Sequence, residues 1–120
     1  MSHHLDVPHV SAAMHACIDN CSDCYDVCTA TLTYCVEQGG HYVDPGHVAA
    51  MRDCAAACQA SLGFMLRGSD LHPRYCSACA EACERCASSC EAMGDDEVMR
   101  RCAEVCRRCA ESCRAMAEHG

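Results

Sequence analysis

The chain has 120 residues, a net charge of −8, 16 cysteines, one Phe (Phe64), four Tyr and no Trp. A chain of this length holds one domain with one core; its acidity argues against nucleic acid or an anionic membrane as a partner, and it contains no apolar run of membrane-spanning length. Although 51% of the residues are apolar, much of that fraction is Cys and Ala, so packed leucines and aromatics do not account for the interior.

Prolines and glycines divide the chain. Pro8, Pro45 and Pro73 stand where a helix can begin, the second of them behind Asp44, a good N-cap; proline in the first turn gives up no hydrogen bond that the helix needs. Gly39-Gly40, Gly68 and Gly94 stand where helices stop, and the chain closes on Gly120. The predicted elements are four helices over about 8–38, 45–67, 73–93 and 96–118. Residues 1–7 are predicted to be a frayed tail, and His3, His4 and His9 are expected to offer at most a weak metal contact and no structural role.

The first predicted helix carries Met14, Cys17, Cys21, Cys24, Cys28, Thr31 and Cys35 at alternating steps of three and four. The second has only Cys54 and Cys58, and the same rhythm extends to His47 and Met51 on one side and to Ser61 and Met65 on the other. The third runs from His72 through Cys76, Cys79, Cys83, Cys86 and Cys90 to Met93, and the fourth from Met99 through Cys102, Cys106, Cys109 and Cys113 to Met116. A spacing averaging 3.5 residues places all these side chains on one narrow stripe of each helix, the seam of a bundle. Residues 79–93 (CAEACERCASSCEAM) and 102–116 (CAEVCRRCAESCRAM) match at 11 of 15 positions, so the last two helices are an internal duplication. Short links favour antiparallel neighbours. The predicted fold is all-α: one antiparallel up-down-up-down four-helix bundle with a cysteine-lined core.

Away from the seams, Glu84, Arg85, Glu91, Arg100, Arg101, Glu104, Arg107, Arg108, Glu111 and Arg114 read as a solvated face. Ile18, Val27, Leu32, Val36, Leu62, Phe64 and Leu66 make the first two helices greasier; they complete the core at flanking positions or form a subunit contact.

Nothing at the N-terminus reads as an export signal, so the expected compartment is the cytosol, where thiols stay reduced. A disulfide scaffold would space its cysteines irregularly through loops. Packing alone does not prefer Cys over Ala, Val or Leu at every seam position. Thiolates are soft donors that select Cu(I), Zn(II) or iron–sulfur clusters. Zinc and iron–sulfur sites gather four ligands around one point, usually from loops, whereas these cysteines form a continuous helical ladder. Cu(I) fits better. It accepts two-coordinate ligation and bridging thiolates, and one monovalent cation per thiolate leaves a buried core neutral. No phosphate-binding loop, GxSxG, HExxH or di-iron Glu-x-x-His pair competes, so no enzyme is expected.

The chain resembles the cysteine-rich four-helix-bundle copper storage proteins of the cytosolic branch, on ACIDNCSDCYDVC in the first helix, MRDCAAAC in the second and the two CAExCxRCAxSCxAM segments. The resemblance implies storage of many Cu(I) ions by all 16 cysteines and assembly as a homotetramer; a copper chaperone is a separate candidate partner. The alternatives are a general Zn/Cd buffer and, less well supported, a thiol redox protein. Cytosolic members often carry a histidine-rich link before the last helix; here that link is Gly94-Asp95-Asp96. One end of the bundle collects His41, His47, Met51, Met93 and Met99, and the other Met14, Met65, His72 and Met116. By analogy with the family, the first set is the expected mouth, with His47, Met51, Met93 and Met99 as candidate ligands beside the cysteines. His47 and His72 read equally well as solvated first-turn residues.

Overall fold

Ser11 starts the first helix: its side chain accepts a 3.2 Å hydrogen bond from the Met14 backbone N–H, satisfying one of the unpaired donors of the first turn. Helix α1 therefore spans Ala12–Gln38, and its expected start at Pro8 is displaced by this cap. The structure is a computed structural model that describes residues 10–119; Pro8, the tail over 1–7, His3, His4 and His9 lie outside the described residues. Helices α2, α3 and α4 span Pro45–Leu66, His72–Glu91 and Glu97–His119. Pro45 and Pro73 occupy the first turns of α2 and α3, as expected from their fixed φ.

The links hold two departures from the sequence reading. A short 3-10 turn, Gly40–Val43, fills the space between α1 and α2. Asp44 stands at the N-cap of α2 but makes no capping bond; its carboxylate lies 3.2 Å from His41 Nδ1 instead. Gly39, Gly68 and Gly94 all adopt positive φ just past helix ends, which L side chains adopt at a cost.

Each helix packs on two neighbours, α1 on α2 and α4, and α3 on α2 and α4, which closes a four-helix ring of overall dimensions 46 × 25 × 18 Å. The buried residues of α2 are His47, Met51, Cys54, Cys58, Ser61 and Met65, the expected seam without addition. In α3 and α4 the buried stripe is wider, because Ala80, Ala87, Ala103 and Ala110 join the cysteines. These four are equivalent in the duplication, and their small side chains let the two repeat helices approach closely. Across the same pair Arg107 meets Glu91 at 2.8 Å and Arg114 meets Glu84 at 2.7 Å. Arg85–Glu81 and Arg100–Glu97 pair within single helices. All are exposed and contribute little each. Of the greasy flanking residues, Ile18 is fully buried while Val36 is exposed; Val27, Leu32, Leu62 and Leu66 pack against the core from its margin. Phe64 stacks on Tyr75 with ring centroids 3.9 Å apart.

Candidate metal centre

All 16 cysteines are buried and free. Between α1 and α4 the thiols meet level by level: Cys17–Cys113 at 3.7 Å, Cys21–Cys109 at 3.7 Å, Cys24–Cys106 at 3.8 Å and Cys28–Cys102 at 3.9 Å. The residue numbers in every pair add to 130. Both helices step 4, 3, 4 between these cysteines, so one antiparallel offset matches all four levels at once. Between α2 and α3 the pairs are Cys54–Cys83 at 3.5 Å and Cys58–Cys79 at 3.7 Å, adding to 137. Cross contacts join the two ladders, Cys24–Cys54 at 3.6 Å and Cys58–Cys109 at 3.8 Å among them. A continuous path of sulfur contacts, none longer than 3.9 Å, runs from Cys17 through Cys113, Cys109, Cys58, Cys83, Cys54 and Cys28 to Cys102.

These separations suit metal ligation. Around an ion with M–S bonds of about 2.3 Å, tetrahedral sulfurs lie roughly 3.8 Å apart. Five groups of sulfurs lie within 4.8 Å of one another: Cys21, Cys79, Cys109 and Cys113; Cys24, Cys58, Cys83 and Cys109; Cys24, Cys28, Cys54 and Cys106; Cys28, Cys86, Cys102 and Cys106; and Cys17, Cys76 and Cys113. The groups overlap, since Cys24, Cys28, Cys106, Cys109 and Cys113 each belong to two. Independent four-sulfur sites therefore compete for ligands, whereas ions that share bridging thiolates can occupy all the groups together.

At the first end, Cys35 Sγ lies 3.5 Å from His47 Nε2 and 3.9 Å from Met51 Sδ, a mixed nitrogen and sulfur set outside the thiol groups. Ser89 anchors the imidazole from the other side, its Oγ 2.7 Å from His47 Nδ1. His47 is thus a core residue and not a solvated one. Met99 is fully buried, and Met93, past the end of α3, packs half-buried against the core. His41 does not join the seam: its side chain is 92% exposed, and with Met93, Tyr42 and Asp44 it lines a depression of about 550 Å³ over this end.

The profile of the family described as copper storage protein matches residues 10–118. The chain belongs to the copper storage protein family. Comparison with curated proteins gives no match. Among solved structures, the Nmul_A1745 protein from Nitrosospira multiformis is 44% identical, with a TM-score of 0.84 over 90% of this chain and 97% of that one. The Cu(I)-bound copper storage protein BsCsp3 is 33% identical, with a TM-score of 0.80 over 88% and 98%. Apo-Csp3 from Bacillus subtilis is 35% identical, with a TM-score of 0.77 over 85% and 96%.

In this member of the copper storage family neighbouring buried thiols shift in opposite directions. Cys106 is pushed up by its hydrogen bonds to Cys102, Cys24 and further thiols and by burial. Cys102 and Cys24 move down, each chiefly through its hydrogen bond with Cys106. A thiolate formed inside the column would be held by its neighbours' S–H groups. Cys90 is pushed up by Cys102, Cys86 and burial. Cys35, outside the ladder, is raised to about 11, first by burial and then by the negative charge of neighbouring groups.

Several residues that shape the site are not among those the sequence reading singles out. Ser89 and Ser112 are equivalent in the duplication, and each hydrogen-bonds a different outer helix: Ser89 holds His47 of α2, and Ser112 Oγ accepts from Asn20 Nδ2 of α1 at 3.1 Å. Comparing the two repeats would have singled them out as matched polar positions beside the seam. The sequence places Asp96 in a link lacking histidines, at the start of the last helix. It caps α4 by accepting from the Met99 N–H at 3.0 Å and also receives two tyrosine hydroxyls.

Proposed function

We propose that this chain stores Cu(I) as a cargo on its core thiolates, many ions per protein, and performs no catalysis. One observation carries the reading: a continuous column of buried sulfurs whose four-sulfur groups overlap. Cu(I) tolerates two or three thiolates and lets each bridge two ions, so overlapping groups fill together and one cation per thiolate neutralises the core. Independent Zn(II) sites each demand four sulfurs of their own and leave a site charge of about −2. A thiol redox role needs an accessible attacking thiolate, and every cysteine is buried.

The 16 cysteines form the ligand set in this reading, with Cys35, His47 and Met51 as a mixed site at the first end and Met93 and Met99 beside it. The depression lined by His41 and Met93 supports that end as the mouth. No described helix is long and apolar enough to cross a membrane. The reading places the protein in the cytosol, whose reducing conditions keep such thiols free. The family resemblance supports a homotetramer.

The test is anaerobic titration of the reduced protein with Cu(I) against a strong competing chelator. Uptake of more than about ten equivalents is the expected result; saturation at about two to four, as separate four-sulfur sites would give, sinks it in favour of zinc.

A further inference from the structure

The second end of the core is built differently from the first. Continuing the two antiparallel registers outward from the thiol ladders places Ser61 opposite Cys76, then Met65 opposite His72 and Met14 opposite Met116. The last thiol level is a group of three, Cys17, Cys76 and Cys113, because α2 contributes Ser61 there. Ser61 is a poor fourth donor, since Cu(I) selects soft ligands and a neutral hydroxyl is hard; its hydroxyl donates to the Tyr75 carbonyl at 3.0 Å. One turn beyond this level His72, Met65 and Met116 are all buried.

His72 carries the decisive detail. Its Nδ1 lies 2.9 Å from the Ser69 carbonyl oxygen. A carbonyl only accepts, so Nδ1 bears the proton and Nε2 carries a lone pair. That Nε2 is buried and has no hydrogen-bond partner. His47 differs at the opposite end, where both ring nitrogens have partners. A ligating histidine typically donates its other N–H to a backbone carbonyl, which fixes the tautomer and aims the free nitrogen at the metal. His72 is held in that state.

We propose that His72 Nε2 is a ligand of a terminal Cu(I) ion at this end of the core, with its sulfur partner drawn from Cys17, Cys76 and Cys113. The assignment rests on the storage reading and adds to it a site that closes the column. Charge gives the reason. In a chain of bridging thiolates with one cation each, the last ion still needs a second donor; another thiolate would leave a buried negative charge, whereas a neutral imidazole adds none. On binding, the cysteine S–H gives its proton to the buffer as the Cu–S bond forms, Nε2 donates its lone pair, and the copper stays Cu(I) throughout. The buried Met65 and Met116 thioethers surround the site with soft, apolar groups.

The experiment is long-range ¹H–¹⁵N NMR of the histidine rings in ¹⁵N-labelled protein, titrated anaerobically with Cu(I) while thiolate–copper absorbance is followed. The His72→Gln protein assigns the His72 signals. In the apo protein His72 Nε2 is expected at a pyridine-type position with the proton on Nδ1, and it should shift markedly upfield as the thiols load. The His72→Gln protein is expected to bind about one equivalent fewer, or to hold its last equivalent at least tenfold more weakly. Thiols that load fully while Nε2 stays at its apo position overturn this site and leave storage standing. A chain that takes up no Cu(I) removes the storage reading and this site with it. If His72→Gln lowers only the apo stability and copper uptake is unchanged, His72 is structural and the proposal fails; because the NMR shift is read on the wild-type protein, poor folding of the variant does not blunt the test.

Discussion

Tyr42 donates a 2.6 Å hydrogen bond to Asp96 Oδ2, tying the 3-10 turn after α1 to the start of α4. Tyr34, near the end of α1, donates to the same oxygen at 2.8 Å. Asp96 Oδ1 meanwhile caps α4 through the Met99 N–H. One carboxylate thus fastens three segments around the proposed mouth, in the link where the resemblance led one to look for histidines. These hydrogen bonds, Tyr42 first, hold the Asp96 carboxyl below its ordinary range.

Asp96→Ala should destabilise the apo bundle by about 1 kcal/mol, the usual cost of losing an N-cap. Asp96→Asn should cost less, since asparagine also caps. The depressed carboxyl sets the sign of the pH effect: its contribution is present above the ordinary aspartate pKa of 3.8 and is lost as pH falls through the lower folded value. Denaturant unfolding of both variants between neutral pH and about pH 3 checks it; an Asp96→Ala protein as stable as wild type would show that the clamp contributes nothing.

Raised thiols give the opposite slope. Cys35 sits at about 11 against an ordinary 9.0, so the folded state keeps its proton while the unfolded chain loses it. Its contribution is complete below pH 9 and disappears as pH rises toward 11. Apo protein should therefore weaken over that window, and copper loading should abolish the effect because the thiolates are then metal-bound. Since each bound thiolate has released a proton, apparent Cu(I) affinity should fall about tenfold per unit drop in pH, below the thiol pKa, for each proton displaced. Thermal melts of apo and loaded protein, with competition titrations at several pH values, measure both trends.

Cys58 touches Cys79 and Cys83 at 3.7 Å and Cys109 at 3.8 Å. Removing that one sulfur by Cys58→Ala should lower saturation by about one or two Cu(I), because a bridging thiolate serves at most two ions. The fold should survive, at a cost of about 1 kcal/mol for the lost buried group. A fall of four or more equivalents in the anaerobic titration would mean that the column fills only as a unit.

Ser61 is the gap that leaves the Cys17, Cys76 and Cys113 level with three thiols. Ser61→Cys should complete it and raise capacity by about one Cu(I), while loss of the bond to the Tyr75 carbonyl costs about 1 kcal/mol. Unchanged capacity in a folded variant would show that the level cannot accept a fourth sulfur.

Ala80 and Ala103, equivalent positions of the duplication, are buried on the two repeat helices. Ala103→Leu should force α3 and α4 apart and cost about 1–3 kcal/mol, read as a lower denaturation midpoint. A neutral result would mean that the interface has room the alanines do not fill.

Which residues face inward was legible in the sequence, because the three-four rhythm is a property of each helix by itself. Thr31, His47, Ser61 and Met65 were placed on the seams without being cysteines, and all four are buried. The four-helix architecture followed from short links, glycine stops and the prolines that open α2 and α3. What the periodicity of single helices does not encode is their mutual offset. The pairing of Cys17 with Cys113 and of Cys54 with Cys83, the overlap of the sulfur groups and the free nitrogen of His72 arise only when antiparallel helices settle at one register. The short links and the packing of each helix on its two neighbours set that register. Asp96 shows the same division: its identity was plain in the chain, and its role as a shared acceptor appeared only when Tyr34 and Tyr42, 62 and 54 residues away, were carried to it by the fold.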